Sequence, residues 1–115
     1  MEQQILFLAD LAGSTVCIDP QKALPVFEAL LKVLQSGGTA VLSFDRVTRV
    51  ITAFLNIAIG KLYDPKLKLP VNVDEALQFE GADEDTRIKL AQVAKYAKIF
   101  YSDPRLLQEI VDGED

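Results

Sequence analysis

Residues 39–62 read TAVLSFDRVTRVITAFLNIAIGKL, and the succession of patterns inside this stretch decides the fold class. Thr39-Ala40-Val41-Leu42-Ser43-Phe44 is an apolar run of strand length behind an amphipathic helical pattern, so it reads as the inner strand of a sheet covered on both faces. Asp45-Arg46 closes that strand, and residues 47–51 are short and apolar enough to be pinned to the core. Thr52 then stands where an N-cap would start a helix over residues 53–62. That helix is apolar almost all round, with Phe54, Ile57 and Lys61 on one row and Leu55, Ala58, Ile59 and Leu62 on another. It is therefore expected to be buried against the sheet and against a further element or a partner.

Upstream, Ile5-Leu6-Phe7-Leu8-Ala9 and Thr15-Val16-Cys17-Ile18 read as two short strands of a hairpin turned at Gly13-Ser14. Asp19-Pro20 signals a helix start, but Pro25 breaks an established helix, so the regular helix is expected from Pro25 to about Gln35 and is ended by Gly37-Gly38. Phe27, Leu30, Leu31 and Leu34 share one of its faces, while Glu28 and Lys32 form an i,i+4 pair on another. Downstream, Asp64-Pro65 ends the apolar helix. Val71-Asn72-Val73 reads as a short strand, Asp74-Glu75-Ala76 as a turn or helical turn, and Leu77-Gln78-Phe79-Glu80 as another strand. Asp83-Glu84-Asp85 opens a long helix to about Tyr101, and Asp103-Pro104 begins a last short helix with an apolar stripe of Leu106, Leu107, Ile110 and Val111. An acidic tail over residues 112–115 follows, with the flexibility such a tail allows. The order specifies one α/β domain over residues 1–115, a small mixed sheet with helices packed on it.

Composition narrows the chemistry. The chain has 115 residues, 12 Lys and Arg against 17 Asp and Glu, a net charge of −5 and no histidine. One domain is what that length supports. The acidic balance argues against a general nucleic-acid binder, and the lack of histidine removes His-based triads, dyads and metal ligation. No cofactor and no metal is expected. Cys17 is the only cysteine, which fits a reducing cytoplasm and a small buried hydrophobe better than a nucleophile. The opening Met1-Glu2-Gln3-Gln4 lacks the basic start of a signal peptide, and the longest apolar run falls short of a membrane span. Membrane insertion is not expected.

No phosphate-loop or dinucleotide motif is present. Asp10 and Asp45, both near strand ends, are the carboxylates that acid–base work would use, with Arg49 nearby in sequence; the simple reading places them in a turn and at a strand end. Arg46, Arg49, Lys61, Lys66 and Lys68 face only Asp64 within residues 46–68, whereas residues 74–85 hold six acids and no base. Such polarity either steers a protein partner or belongs to solvated faces. Tyr96, Phe100 and Tyr101 at helical spacing read as core and rim. Thr52 is either a plain N-cap or a switch, because a phosphate there would meet free helix N–H groups. Asn56, one turn later, suits a hydrogen bond to a neighbouring loop.

The segments Ala40-Val41-Leu42-Ser43-Phe44-Asp45-Arg46-Val47 and Ile51-Thr52-Ala53-Phe54-Leu55-Asn56-Ile57-Ala58-Ile59-Gly60-Lys61-Leu62 resemble the central signature of the STAS-like domain of unknown function family. Cys17-Ile18-Asp19-Pro20 and Leu77-Gln78-Phe79-Glu80-Gly81 are similar to its flanks. The resemblance implies a STAS-type fold related to bacterial anti-sigma factor antagonists. In those switch proteins the corresponding strand-loop-helix carries Asp-Ser-Ser-Gly, and a partner kinase of the histidine-kinase-like ATPase fold phosphorylates the second serine. Here Ile51 replaces the Asp, Thr52 matches the first serine, Ala53 takes the phosphoacceptor's place and Phe54 replaces the glycine. Ordinary phospho-switching would need a one-position shift onto Thr52. The leading expectation is a non-catalytic interaction or regulatory module whose partner surface holds Arg49, Thr52, Ala53, Phe54 and Asn56, with a kinase-like ATPase or another signalling protein as partner and room for self-association. A phosphorylation switch at Thr52 comes second, and a small enzyme using Asp10 and Asp45 third.

Overall fold

A computed structural model describes residues 3–102. In chain order the elements are β1 (Gln3–Phe7), α1 (Leu8–Ala12), β2 (Val16–Cys17), α2 (Pro20–Gln35), β3 (Thr39–Ser43), β4 (Arg49–Val50) and α3 (Thr52–Ala58). Two 3-10 turns at Gly60–Tyr63 and Pro65–Leu67 lead to α4 (Val73–Ala76), β5 (Leu77–Glu80) and α5 (Glu84–Ser102). The class is α/β, as the sequence indicates. The expected last helix beyond Asp103 and the acidic tail lie outside the described residues.

The main sheet has the order β1-β3-β5, with β3 in the centre. Ile5 lies opposite Val41 and Val41 opposite Gln78, both pairings parallel. Each crossover steps one strand in the same direction, and right-handed connections that never reverse direction put their helices on one face. Ala40, Leu42 and Leu77 point into that helix layer and are buried with Val26, Leu30, Leu34, Phe54, Leu55, Ile59 and Leu62. Among the described residues no helix covers the opposite face, where Ile5 is 55% and Phe7 40% exposed and Val41 is half-buried, while Ser43 at the end of β3 is buried. β3 is thus the inner strand, but the expectation that both of its faces are covered is corrected.

The expected hairpin is also corrected. After Phe7 the chain coils into α1, burying Leu8, Ala9 and Ala12, and Gly13 ends that turn at φ 69 with its N–H on the Ala9 and Asp10 carbonyls. β2 then pairs in parallel with β4 in a separate two-stranded sheet, Cys17 opposite Val50. Helical spacing of small apolar residues over 8–12 outweighs their strand character because it buries three of them at once.

α2 begins at Pro20, five residues before the expected start. Asp19 Oδ1 accepts the Gln21 N–H at 3.0 Å, Pro20 occupies the first turn, and Ala23 and Val26 are buried on either side of an exposed Pro25. Pro25 removes the N–H that would bond the Gln21 carbonyl, but Gln21 is an exposed residue, so the missing bond falls on the solvent side of the helix and not in the core. Residues 71–73 likewise form no strand: the Asn72 side chain accepts the Asp74 N–H at 2.9 Å and starts α4. Among the described residues no helix is long and apolar enough to cross a membrane.

Candidate functional site

α3 and α5 run side by side in the same direction. Lys89 in the second turn of α5 donates to the Val50 carbonyl at 3.0 Å, just before α3. Farther along, a Cβ on Gly60 would sit 3.6 Å from Val93 Cγ1 and 3.9 Å from Ala97 Cβ, so glycine here permits close approach of the two elements. Between them opens a groove of about 270 Å³. Thr52, Asn56 and Gly60, four residues apart, line one wall; Tyr96, Ala97, Phe100 and Tyr101 line the other. Phe100 is 42% exposed and meets Tyr101 edge to face, with ring centroids 5.0 Å apart. The groove offers a small polar rail and an aromatic wall.

Thr52 is the first residue of α3, not its cap. Ile51 holds the cap position in extended backbone because its N–H continues the small sheet to the Cys17 carbonyl at 3.3 Å, and no side chain caps the helix. The helix itself ends at Ala58, short of the expected residue 62, where the chain tightens into the 3-10 turn at Gly60–Tyr63. Thr52 is half-buried, Ala53 and Asn56 are exposed, and Phe54 is fully buried beneath them. Phe54 therefore supports the surface from the core and is not available to a partner. Arg49 is exposed on β4 and lines a different cavity of about 230 Å³ with Thr48, Gly81, Asp83 and Thr86. The groove brings Thr52 and Asn56 together and leaves Arg49 outside.

Tyr96, Phe100 and Tyr101, expected as core and rim, form the second wall. Their i, i+4, i+5 spacing carried that signal, but only the parallel placement of α5 against α3 shows which side they serve. Lys89 carried no sequence signal. It fastens α5 to the β4–α3 junction and pairs with Asp85 at 2.9 Å. Asp10 and Asp45 both follow carboxyl ends of main-sheet strands and are exposed. Asp10 pairs with Arg46 at 3.1 Å across the surface, and the Asp45 N–H bonds Ser43 Oγ at 3.2 Å. Cys17 is fully buried, and burial pushes its thiol pKa up despite the nearby Lys22 charge. It behaves as a core side chain.

Electrostatics fix the far end of α5. The Tyr63 hydroxyl donates to Asp74 Oδ1 at 2.6 Å, Lys98 pairs with Asp74 Oδ2, and the Lys98 ammonium lies 5.8 Å from the Tyr63 ring centroid. This triad ties α4 and the first 3-10 turn to α5. Part of the acidic stretch is thus neutralised locally, Asp74 by Lys98 and Asp85 by Lys89. Desolvation pushes the Asp74 carboxyl up, but hydrogen bonds from Lys98 and Tyr63 and the Lys98 charge outweigh it and hold the carboxyl below its usual range. Burial, then the Asp74 hydrogen bond and charge, push the Tyr63 hydroxyl well above the ordinary tyrosine value. A raised folded-state pKa gives stability that is complete below the unfolded value of about 10 and is lost as pH rises through the folded value. Tyr63→Phe removes that dependence. Urea unfolding at roughly pH 8 and roughly pH 11 should show the wild type losing about 1 kcal/mol more than the variant, after discount for partial exposure. Equal losses in both proteins would show that the hydroxyl does not carry this linkage.

A search of curated proteins and a search of solved structures each returned no match. Residues 23–87, from within α2 to the first turn of α5, match the family model of the STAS-like domain of unknown function (DUF4325), which is more than half of the chain, and the chain belongs to that family.

Proposed function

We propose that the domain is a non-catalytic interaction module and that its partner docks side chains into the groove between α3 and α5. The observation that carries this reading is the groove itself. Its volume of about 270 Å³ lies just below the range of roughly 300–1,000 Å³ typical of small-molecule sites. That space suits one or two anchoring side chains. Exposed Phe100 and the half-buried Tyr96 and Tyr101 supply apolar area with little conformational entropy to lose, while Thr52 and Asn56 supply the polar contacts that fix register. A kinase-like ATPase or another signalling protein of a reducing bacterial cytoplasm is the partner class that the family likeness suggests.

A photo-crosslinking amino acid at position 56, compared with one at exposed Glu28 on α2, tests the site in host extract. The expected result is a single crosslinked protein at position 56 and none at position 28, with Asn56→Trp weakening that complex at least about tenfold at unchanged unfolding midpoint. Crosslinks of equal yield at both positions, or a complex indifferent to Asn56→Trp, would overturn the reading.

A second reading rests on Thr52, the half-buried first residue of α3, which lines the groove. In this reading the partner transfers a phosphoryl group from ATP to Thr52 Oγ, releasing ADP, and the added charge at the groove mouth disfavours the complex. Intact mass after incubation with the crosslinked partner and ATP distinguishes the two: a phosphate absent from Thr52→Val supports the switch, and an unmodified wild type removes it.

A further inference from the structure

We propose that residues 104–111 fold back as a short helix against the groove between α3 and α5, so that the chain itself occupies the site a partner must clear. These residues follow the last described one, Ser102, whose hydroxyl donates to the Ile99 carbonyl at 3.1 Å in the final turn of α5. Leu106, Leu107, Ile110 and Val111 fall within about 140° of a helical wheel, with Arg105, Gln108 and Glu109 on the other side. Such a stripe needs a surface to cover it. Asp103 and Pro104 supply an N-cap and a first-turn proline, and a residue before proline is disfavoured in helical backbone, so the sequence favours a turn between α5 and a following helix.

The groove lies within reach. Only Ser102 and Asp103 separate Tyr101, a residue of the groove wall, from Pro104. A tether that short holds the segment at a local concentration on the order of millimolar, so a modest intrinsic affinity suffices. The dimensions agree: Thr52 to Gly60 spans about 12 Å at about 1.5 Å per residue, and so does a helix over residues 104–111. The groove has space for one or two anchoring side chains and no charged residue lines it, which suits an apolar stripe. Charge favours the same placement. Residues 103–115 hold five acids against one base, and thus four of the chain's five net negative charges, whereas residues 46–68, which include the Thr52–Gly60 wall, hold five bases against one acid. Exposed Arg49 and Lys61 stand just before and just after that wall. A segment returning from Tyr101 toward Thr52 carries Asp112, Glu114 and Asp115 toward Arg49. The contact requires only the groove, whereas its effect on a partner rests on the docking function proposed above.

A photo-crosslinking amino acid at position 56 of the purified full chain tests the contact, compared with one at exposed Ala91, which lines a cavity on another side of α5. Irradiation and tryptic digestion should join the position 56 peptide to the peptide that follows Arg105, with a yield unchanged over about a hundredfold dilution. Leu107→Asp combined with Ile110→Asp should lower that yield at least about tenfold, whereas Gln108→Asp, opposite the stripe, should leave it unchanged. In host extract the same double substitution should raise the yield of the partner complex at position 56 at least about threefold, because the competing segment is removed. No joined peptide at position 56, equal joining at position 91, a yield indifferent to the double substitution, or a product of twice the chain mass that disappears on dilution overturns the fold-back. A partner complex unmoved by the double substitution overturns the segment's control of the site. The two readings fail separately: a captured protein without the joined peptide removes the fold-back and leaves the docking function, and a joined peptide with no captured protein does the reverse.

Discussion

Phe54→Ala is expected to lower stability by about 3–5 kcal/mol, the largest effect of any single substitution argued for this domain. The ring is fully buried in α3, a helix that packs on α2 along one side and on α5 along the other. Truncation removes the transfer free energy of the ring and leaves a cavity that helices packed on both sides cannot readily close. A domain of this size has only roughly 5–15 kcal/mol in total, so the loss takes a large share. With a urea m-value of about 1–2 kcal/mol per M, the midpoint should fall by about 2 M or more. Phe54→Leu, which keeps most of the volume, should cost much less. A midpoint that moves by less than about 0.5 M for Phe54→Ala would mean that the ring is not the packing centre described here. The effect should reach the groove, because Phe54 lies beneath the helix that presents Thr52 and Asn56.

That coupling shows why the sequence revealed part of the site and concealed the rest. An apolar strand followed by a helix apolar nearly all round is readable from residues 39–62, and its consequence, a helix buried on more than one side, is what the structure has. The expected cap was less legible. A threonine after a strand looks like a cap, but the cap position is settled by where the backbone stops being extended, and that depends on the Ile51 N–H bonding the Cys17 carbonyl 34 residues away. The hairpin reading failed for a similar reason. Residues 5–18 offer alternating and helical spacings of nearly equal quality, and long-range pairing of β2 with β4 decides between them.

The groove's second wall lay beyond any local pattern. Tyr96, Phe100 and Tyr101 are visible as an aromatic cluster on a helix, but their meaning depends on α5 crossing beside Gly60, a contact between positions more than 30 residues apart. The sheet face that no described helix covers belongs to the same class of fact. An apolar run such as β3 cannot report whether one or both of its faces are covered; the direction of the crossovers does, and it requires the strand order.

Pro25→Ala is expected to stabilise the domain by about 1–2 kcal/mol, opposite in sign to most substitutions. Proline inside a helix is disfavoured against alanine by about 3 kcal/mol, through the missing N–H and the clash of its ring with the carbonyl four residues earlier. Two terms reduce the gain. The Gln21 carbonyl it leaves unpaired is on an exposed residue, so recovering its bond gains less than it would in the core, and proline restricts the unfolded chain by about 0.4–1 kcal/mol, a benefit that alanine gives up. The net should raise the thermal midpoint by about 4–8 °C per kcal/mol for a domain of this size. The position of Pro25 makes the outcome informative beyond its magnitude. Ala23 and Val26 flank it in the core, and α2 is the helix against which α3 packs. A rise in midpoint with partner binding unchanged would mean that α2 already runs on the course that a regular helix takes. A rise accompanied by weaker crosslinking at position 56 would mean that the ring sets the line of α2, and through it the angle at which α3 presents the groove. An unchanged or lowered midpoint would refute the expected stabilisation, with strain on restoring a regular turn cancelling the recovered hydrogen bond.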